Sequence, residues 1–211
     1  MSKLITNTIR HVDGSNDNIT LDSSQNVTVE NNLTVDGTST LTGNVTCSGQ
    51  AQVSSDLDIA SDIRHIGDTD TKIRFPAADT VTVETGGSER ARVDSSGRLL
   101  VGHNASIGAD RQLQVIGDSA DTSAITAARF SADANGPKLD LVKSRNATKG
   151  SNTIVQDNDV CGEINFLGSD GNDLEAPVAQ ILGMVNGTPG NNDMPGALTF
   201  RTTTDGGVSL S

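Results

Sequence analysis

The sequence predicts an all-β chain that builds an elongated homotrimeric fibre, with an intertwined, triple-β-helix-like shaft of hexapeptide repeats followed by β-rich modules. Seven hexapeptides run head to tail from Val27 to Asp68. Beyond them, aliphatic and β-branched residues alternate with polar ones between Gly-rich turns, the pattern of half-buried strands. The chain is also poor in core-forming residues, with no Trp, no Tyr and 4 Phe in 211 residues. Leu, Ile, Val and Phe make up only about a quarter of it, near the range where a lone chain struggles to bury a core.

Residues 1–20 precede the repeats. Leu4, Ile5, Ile9 and Val12 form the only apolar stretch near the N-terminus outside them, and so mark a candidate docking segment. Lys3 is not followed by a long apolar run, so no secretory signal is expected and synthesis in a cytoplasm is the expectation.

Residues 21–68 are the predicted shaft. Positions one and three of each hexad face the same way in an extended chain. They hold Val27, Val29, Leu33, Val35, Leu41, Val45, Val53, Leu57, Ile59 and Ile63, the predicted trimer core. Gly, Ser or Asn at position five allows a corner. Each hexad therefore reads as a short strand plus a bend whose inward groups are buried only by neighbouring units. A single-chain β-helix uses three hexads per coil, so seven would give just over two coils, whereas repeat stacks need about three or more units. Three chains contributing one hexad each per layer give seven layers at once, and that arrangement is preferred.

Residues 69–102 predict a β-hairpin module: KIRF, with Pro76 ending the strand, then TVTVE, a Gly86-Gly87 turn, RARVD and RLLVG. Residues 103–128 predict a linker, with QLQVIG as a strand and SADTSAITAARF as a short helix or linker. Residues 129–211 predict a distal β-rich module with strands at KLDLVKS, TIVQ, CGEINFLGS, VAQILGMV and ALTFRTT, punctuated by Asn-Gly and Asp-Gly turns. Its extra Phe and Leu make it the expected seat of a globular core.

The net charge is −12. Phosphate binding needs clustered Lys and Arg, so the composition argues against nucleic-acid partners. No run approaches the ~20 apolar residues of a membrane span, so membrane insertion is not expected. Acidity keeps a thin β-rod soluble and blunts edge pairing. Cys47, at an inward hexad position, and Cys161 read as reduced structural thiols.

Chemistry-bearing motifs are sparse. His65 occupies an inward position of the last hexad; three copies on a shared axis make it the candidate metal ligand, against the plainer reading of a polar end-of-repeat residue. Asp170, Asn172, Asp173 and Glu175 offer oxygen ligands without calcium-loop spacing, as does DGSNDN at 13–18. No nucleophile, phosphate-loop or zinc pattern is present. No catalytic residue and no cofactor is predicted.

Three stretches, in order, resemble bacteriophage tail fibre proteins of the marine, cyanophage type. MSKLITNTIRH with ITLDSSQNVTVENNLTVDGTSTLTGNVT is similar to the start and shaft of such fibres. SERARVDSSGRLLVG is similar to a repeat common in phage fibres, and KSRNATKGSNTIVQDNDVCGEINFLGSDG with NGTPGNNDMPGALTFRTTTDG to a distal module that often precedes another copy of it. The resemblance implies a non-enzymatic homotrimer in the virion tail. Its N-terminus would dock on a tail adaptor, nozzle or portal-proximal protein, and more distal parts would bind a host surface receptor. It also implies a chain continuing past Ser211. The alternatives are a β-helix enzyme (an acyltransferase or glycan depolymerase) and another trimeric decoration or baseplate protein.

Overall fold

The structure is a computed structural model describing residues 8–10, 17–21, 27–29, 32–108 and 111–211. Among these there are strands, turns and bends but no helix, so the fold is all-β as the sequence predicts. The chain divides into two compact units, Met1–Leu57 and Asp58–Ser211.

In the first unit, β1 (Thr8–Arg10), β2 (Asp17–Leu21) and β3 (Val27–Val29) form an antiparallel sheet in that order. Ile9 lies in β1, opposite Ile19; Leu4, Ile5 and Val12 of the docking segment lie outside the described residues. The first hexad supplies β3. From residue 32 to residue 61 no strand follows, which corrects the expectation of a strand in every hexad. The reason is elementary: ladder hydrogen bonds need an adjacent strand, and no described strand pairs with these residues. Val27, Leu33, Val35, Leu41, Val45, Val53 and Leu57 are accordingly exposed, and Val29 is half-buried.

The second unit holds two sheets. The larger contains β4 (Asp62–His65), β5 (Asp68–Ala77), β6 (Thr80–Thr85), β7 (Ser88–Val93), β8 (Leu99–Val101) and β9 (Leu113–Val115), in chain order. Neighbours are antiparallel except β8 and β9, which run parallel with Leu99 opposite Leu113. The predicted hairpins fall at β5 to β8 because alternation and Gly-bearing turns coincide there. Pro76 does not end β5; it sits at a register irregularity between Arg74 and Ala77, where no ladder bond to β6 is required of it. The final hexad, expected in the shaft, supplies β4, so Ile63 and His65 belong to this sheet, while Ile59 is half-buried just before it.

The smaller sheet is antiparallel, ordered β10 (Val160–Gly168), β11 (Ala176–Val185), β12 (Gly196–Thr202), and matches three of the five strands predicted there. KLDLVKS and TIVQ are not strands. Alternation in KLDLVKS is correct for a strand, but residues 138–143 have no backbone partner among the described residues. TIVQ contributes through burial instead, with Val155 packed inside.

Candidate interaction surface

Side chains on successive strand residues leave opposite faces, so the register of the six-stranded sheet sorts its residues without further assumption. One row crosses all six strands: Ile63, Ile73, Val83, Ala91, Val101, Val115. Val81, Val93, Leu99 and Leu113 share that face in the next row. These two rows are apolar, with Thr71 and Thr85 beside them at one edge, and Ile63, Ile73, Val81, Val83, Val93, Leu99 and Leu113 are all exposed.

The opposite face is polar and occupied. Its central row runs Asp62, Arg74, Thr82, Arg92, Leu100, Gln114. Leu100 and Thr82 are fully buried, and Glu84 and Gln114 nearly so. Glu84 receives Lys72 at 3.3 Å and Arg74 at 3.5 Å, and the Thr82 hydroxyl donates to it at 3.4 Å. Arg92 forks onto Glu89 at 2.7 and 3.0 Å and donates to the Asn104 carbonyl at 2.8 Å. The polar face thus satisfies itself within one chain, while the apolar face stays exposed except at Ala91, Val101 and Val115, which are half-buried.

The segment SERARVDSSGRLLVG builds the middle of this arrangement. Asp94 Oδ1 accepts the backbone N–H groups of Ser96 and Arg98, each at 3.0 Å, and Oδ2 accepts Arg98 Nε at 2.8 Å. These bonds, the Arg98 N–H foremost, hold the Asp94 carboxyl below its usual range. The turn delivers Leu99 to the apolar face and Leu100 to the buried one. Gln114 then ties down the crossover that a parallel pair requires. Its amide donates to Ser106 Oγ at 2.8 Å and the Arg111 carbonyl at 3.2 Å, and its oxygen accepts the Ile107 N–H at 3.1 Å. Gln114→Ala would leave the Ile107 donor and the Arg111 carbonyl without this partner, so the expected loss is about 1–3 kcal/mol. Urea unfolding checks it.

The three-stranded sheet repeats the division. Gly162, Gly183 and Leu198 form one row, Ile164, Ile181 and Phe200 the next, and Phe166, Ala179 and Thr202 a third. On the other face Gln180 donates to Glu163 at 3.0 Å and Asn165 at 2.9 Å, and Leu182 is buried. All four phenylalanines are exposed: Phe75 at 39%, Phe130 at 98%, Phe166 at 51% and Phe200 at 70%. The hydrophobic side chains buried among the described residues are Leu100, Val155, Leu182 and Val185. A distal core therefore exists around Val155, Leu182 and Val185, but it does not take in the aromatic residues that suggested it. Phe is among the residue types most often found inside, so exposing all four is a departure from the usual pattern.

The root of the smaller sheet is held by charge. Arg145 forks onto Asp159 at 2.6 and 2.7 Å, and Asp159 also accepts the Gln156 N–H at 2.9 Å. The Arg145 guanidinium, with that N–H, pulls the Asp159 carboxyl from 3.8 down to about 2. A depressed carboxylate pKa contributes stability above its unfolded value, which is lost as pH falls through the folded one. The link should therefore hold at pH 5 and fail progressively between about pH 4 and pH 2, the window set by its unfolded and folded values. Protection of the Gln156 amide, relative to its intrinsic exchange rate at each pH, is expected to fall across that window, and the Asp159→Asn variant should lack the transition.

The predicted ligand candidates stand apart from one another. His65 ends β4 as an exposed residue opposite Asp68. Among the described residues no group of three or more His, Cys, Asp or Glu is placed to hold a metal ion. Asp170 Oδ1 accepts the N–H groups of Asn172 and Asp173 at 2.8 and 3.1 Å, and Asp173 accepts that of Glu175 at 2.9 Å, so these carboxylates serve the turn they occupy. Most of DGSNDN lies outside the described residues. Cys47 is exposed, Cys161 half-buried, and both are free. A cleft of about 260 Å3 lies between the two sheets of this unit, lined by Ile107, Val115, Ile116, Leu167 and Leu174 with Arg111, Gln114 and Glu175; it brings none of the predicted candidates together except Glu175.

Sequence reasoning recognised the alternation but missed the parallel β8–β9 pair and the Gln114 anchor. The signal for the latter was present: a lone polar residue between Leu113 and Val115, in a strand too short to waste one. Both sheets thus pair an exposed, mainly apolar face with a polar face that is hydrogen-bonded within the chain. Comparison with protein-family models and with curated proteins finds no match to this chain.

Proposed function

We propose that this chain is a structural component of a phage tail fibre. It assembles as a homotrimer in which the hexads wind into a shared shaft and the apolar face of the six-stranded sheet packs against its copies. The N-terminal segment docks on a tail adaptor, nozzle or portal-proximal protein, and distal parts support attachment to a host receptor. The single observation that carries the self-association is the apolar row Ile63, Ile73, Val83, Ala91, Val101, Val115 across six strands, with Ile63, Ile73 and Val83 exposed and Val81, Val93, Leu99 and Leu113 exposed beside it. Monomeric proteins rarely leave apolar patches of more than a few hundred Å2 exposed. Seven exposed side chains of this face, each offering on the order of 80 Å2, give roughly 550 Å2, or about 14 kcal/mol of gross transfer free energy per copy at ~25 cal/mol/Å2. That is comparable with the estimated ~4–15 kcal/mol cost of association, and the hexad positions add to it. The same face, closed on itself in threes, removes the demand without any other partner.

The fibre assignment is supported by the order of the three motif stretches, each of which has a mechanical role in such an assembly. Gold-labelled antibody against residues 8–29, applied to intact phage particles that encode the chain, tests it. Label at the tail fits a docked fibre; label over the capsid shell would replace this reading with a decoration protein.

A further inference from the structure

We infer that residues 122–143 are an exchanged arm: in the homotrimer proposed above, the arm of one copy lies on the bare face of the three-stranded sheet of a neighbouring copy. The arm carries no strand, and residues 124–143 make no backbone–backbone hydrogen bond with any described residue. Yet it is apolar where a solvated linker would not be. Ile125, Phe130, Leu139 and Val142 are exposed at 78%, 98%, 79% and 87%. Phe130 alone offers on the order of 150 Å2, and the three aliphatic side chains add to it.

Its tip is shaped in advance. Arg129 donates to Asp133 Oδ1 at 2.7 Å, to Asp133 Oδ2 at 2.5 Å and to the Asn135 carbonyl at 2.5 Å, while Asp133 accepts the Asn135 N–H at 2.9 Å. This knuckle fixes the backbone beside Phe130 and lowers the entropy lost when that ring is buried. The arm's root is pinned to its own sheet by the Arg145–Asp159 fork and by Leu141, which fills the space a Cβ on Gly162 would take. Leu141 reaches its own sheet, whereas Phe130 touches almost nothing, so the remaining apolar groups need another chain.

A second copy fits on surface and on charge. Ile164, Phe166, Leu198 and Phe200 are bare on the three-stranded sheet. Residues 122–143 hold three cations (Arg129, Lys138, Lys143) and two anions (Asp133, Asp140), a net +1, so the rest of the chain carries −13 of the total −12. The arm's charge therefore does not oppose docking on an acidic neighbour.

The test co-expresses two differently tagged full-length chains, only one of which carries the photo-cross-linker benzoylphenylalanine in place of Phe130. Assemblies bearing both tags are purified, irradiated and digested. A cross-link from position 130 to the 160–202 region of the other chain is expected. Cross-links confined to one chain, or none to that region, in an assembly of trimer mass would overturn the arm and leave the trimer standing; a monomer in sedimentation would overturn both. Phe130→Ala supplies a second reading, since the residue is exposed in the single chain and its loss should leave β-structure intact. Trimer dissociation should strengthen roughly thirtyfold or more, as for an interface anchor; unchanged dissociation contradicts the proposal.

Discussion

Val83→Asp is expected to yield a folded chain that no longer associates. Val83 lies mid-row on the apolar face of the larger sheet, between Ile73 on β5 and Ala91 on β7. In a single chain the new carboxylate stays hydrated, because the position is exposed, and β-pairing is unaffected. In the proposed assembly three copies of this residue become buried together on an apolar face. Taking such ions out of water costs several kcal/mol each after relaxation, and their mutual repulsion adds to it. Association should fall below detection at micromolar concentration while far-ultraviolet circular dichroism keeps its β signature. Thr82→Asp is no substitute, since it would perturb the closed polar face. If Val83→Asp assembles like the parent chain, the apolar face is not the contact.

Gly102→Ala is expected to be the most damaging small substitution within a single chain. Gly102 has φ +86°, in the left-handed region, and an added Cβ would lie 2.2 Å from the Ile116 carbonyl oxygen. Neither side can move away freely. The Gly102 N–H is bonded to the Arg90 carbonyl at 3.0 Å, and the Ile116 N–H to the Val101 carbonyl at 2.9 Å. The backbone conformation alone costs an L-residue about 1–2 kcal/mol, and the collision must break or stretch the parallel β8–β9 pairing as well. A total near 3 kcal/mol corresponds to a fall in Tm of roughly 6–12 °C for a chain of this size. Gly97→Ala isolates the first contribution, because Gly97 has φ +76° with open space around it; it should cost only about 1 kcal/mol. Equal Tm values for the two variants would mean that β9 is not docked through Ile116.

What was legible in the sequence follows from which physical signals are local. β5 to β8 and β10 to β12 were readable because period-two alternation and turn residues coincide within a few positions. β9 was found, but its parallel partner was not, since the crossover that delivers it depends on the Gln114 bonds and on the absent side chain of Gly102. Residues 138–144 alternate as a strand should, yet no neighbouring strand is available to them in one chain. The hexads fail as strands for the same reason. Alternation also tells two faces apart without saying which one the chain covers. Val81 and Val83 were read as half-buried; in the single chain their face is open, and Thr82 and Glu84 behind them are buried. That inversion is the structural counterpart of a composition too lean to fill its own core, and it points to self-association more directly than any single motif.

Sedimentation equilibrium of the full chain at micromolar concentration tests this most directly. The account predicts a single species of about 65 kDa, three times the 21.8 kDa of one chain, with a β-rich dichroism spectrum. A well-folded 21.8 kDa monomer, stable with its apolar faces in water, would contradict it.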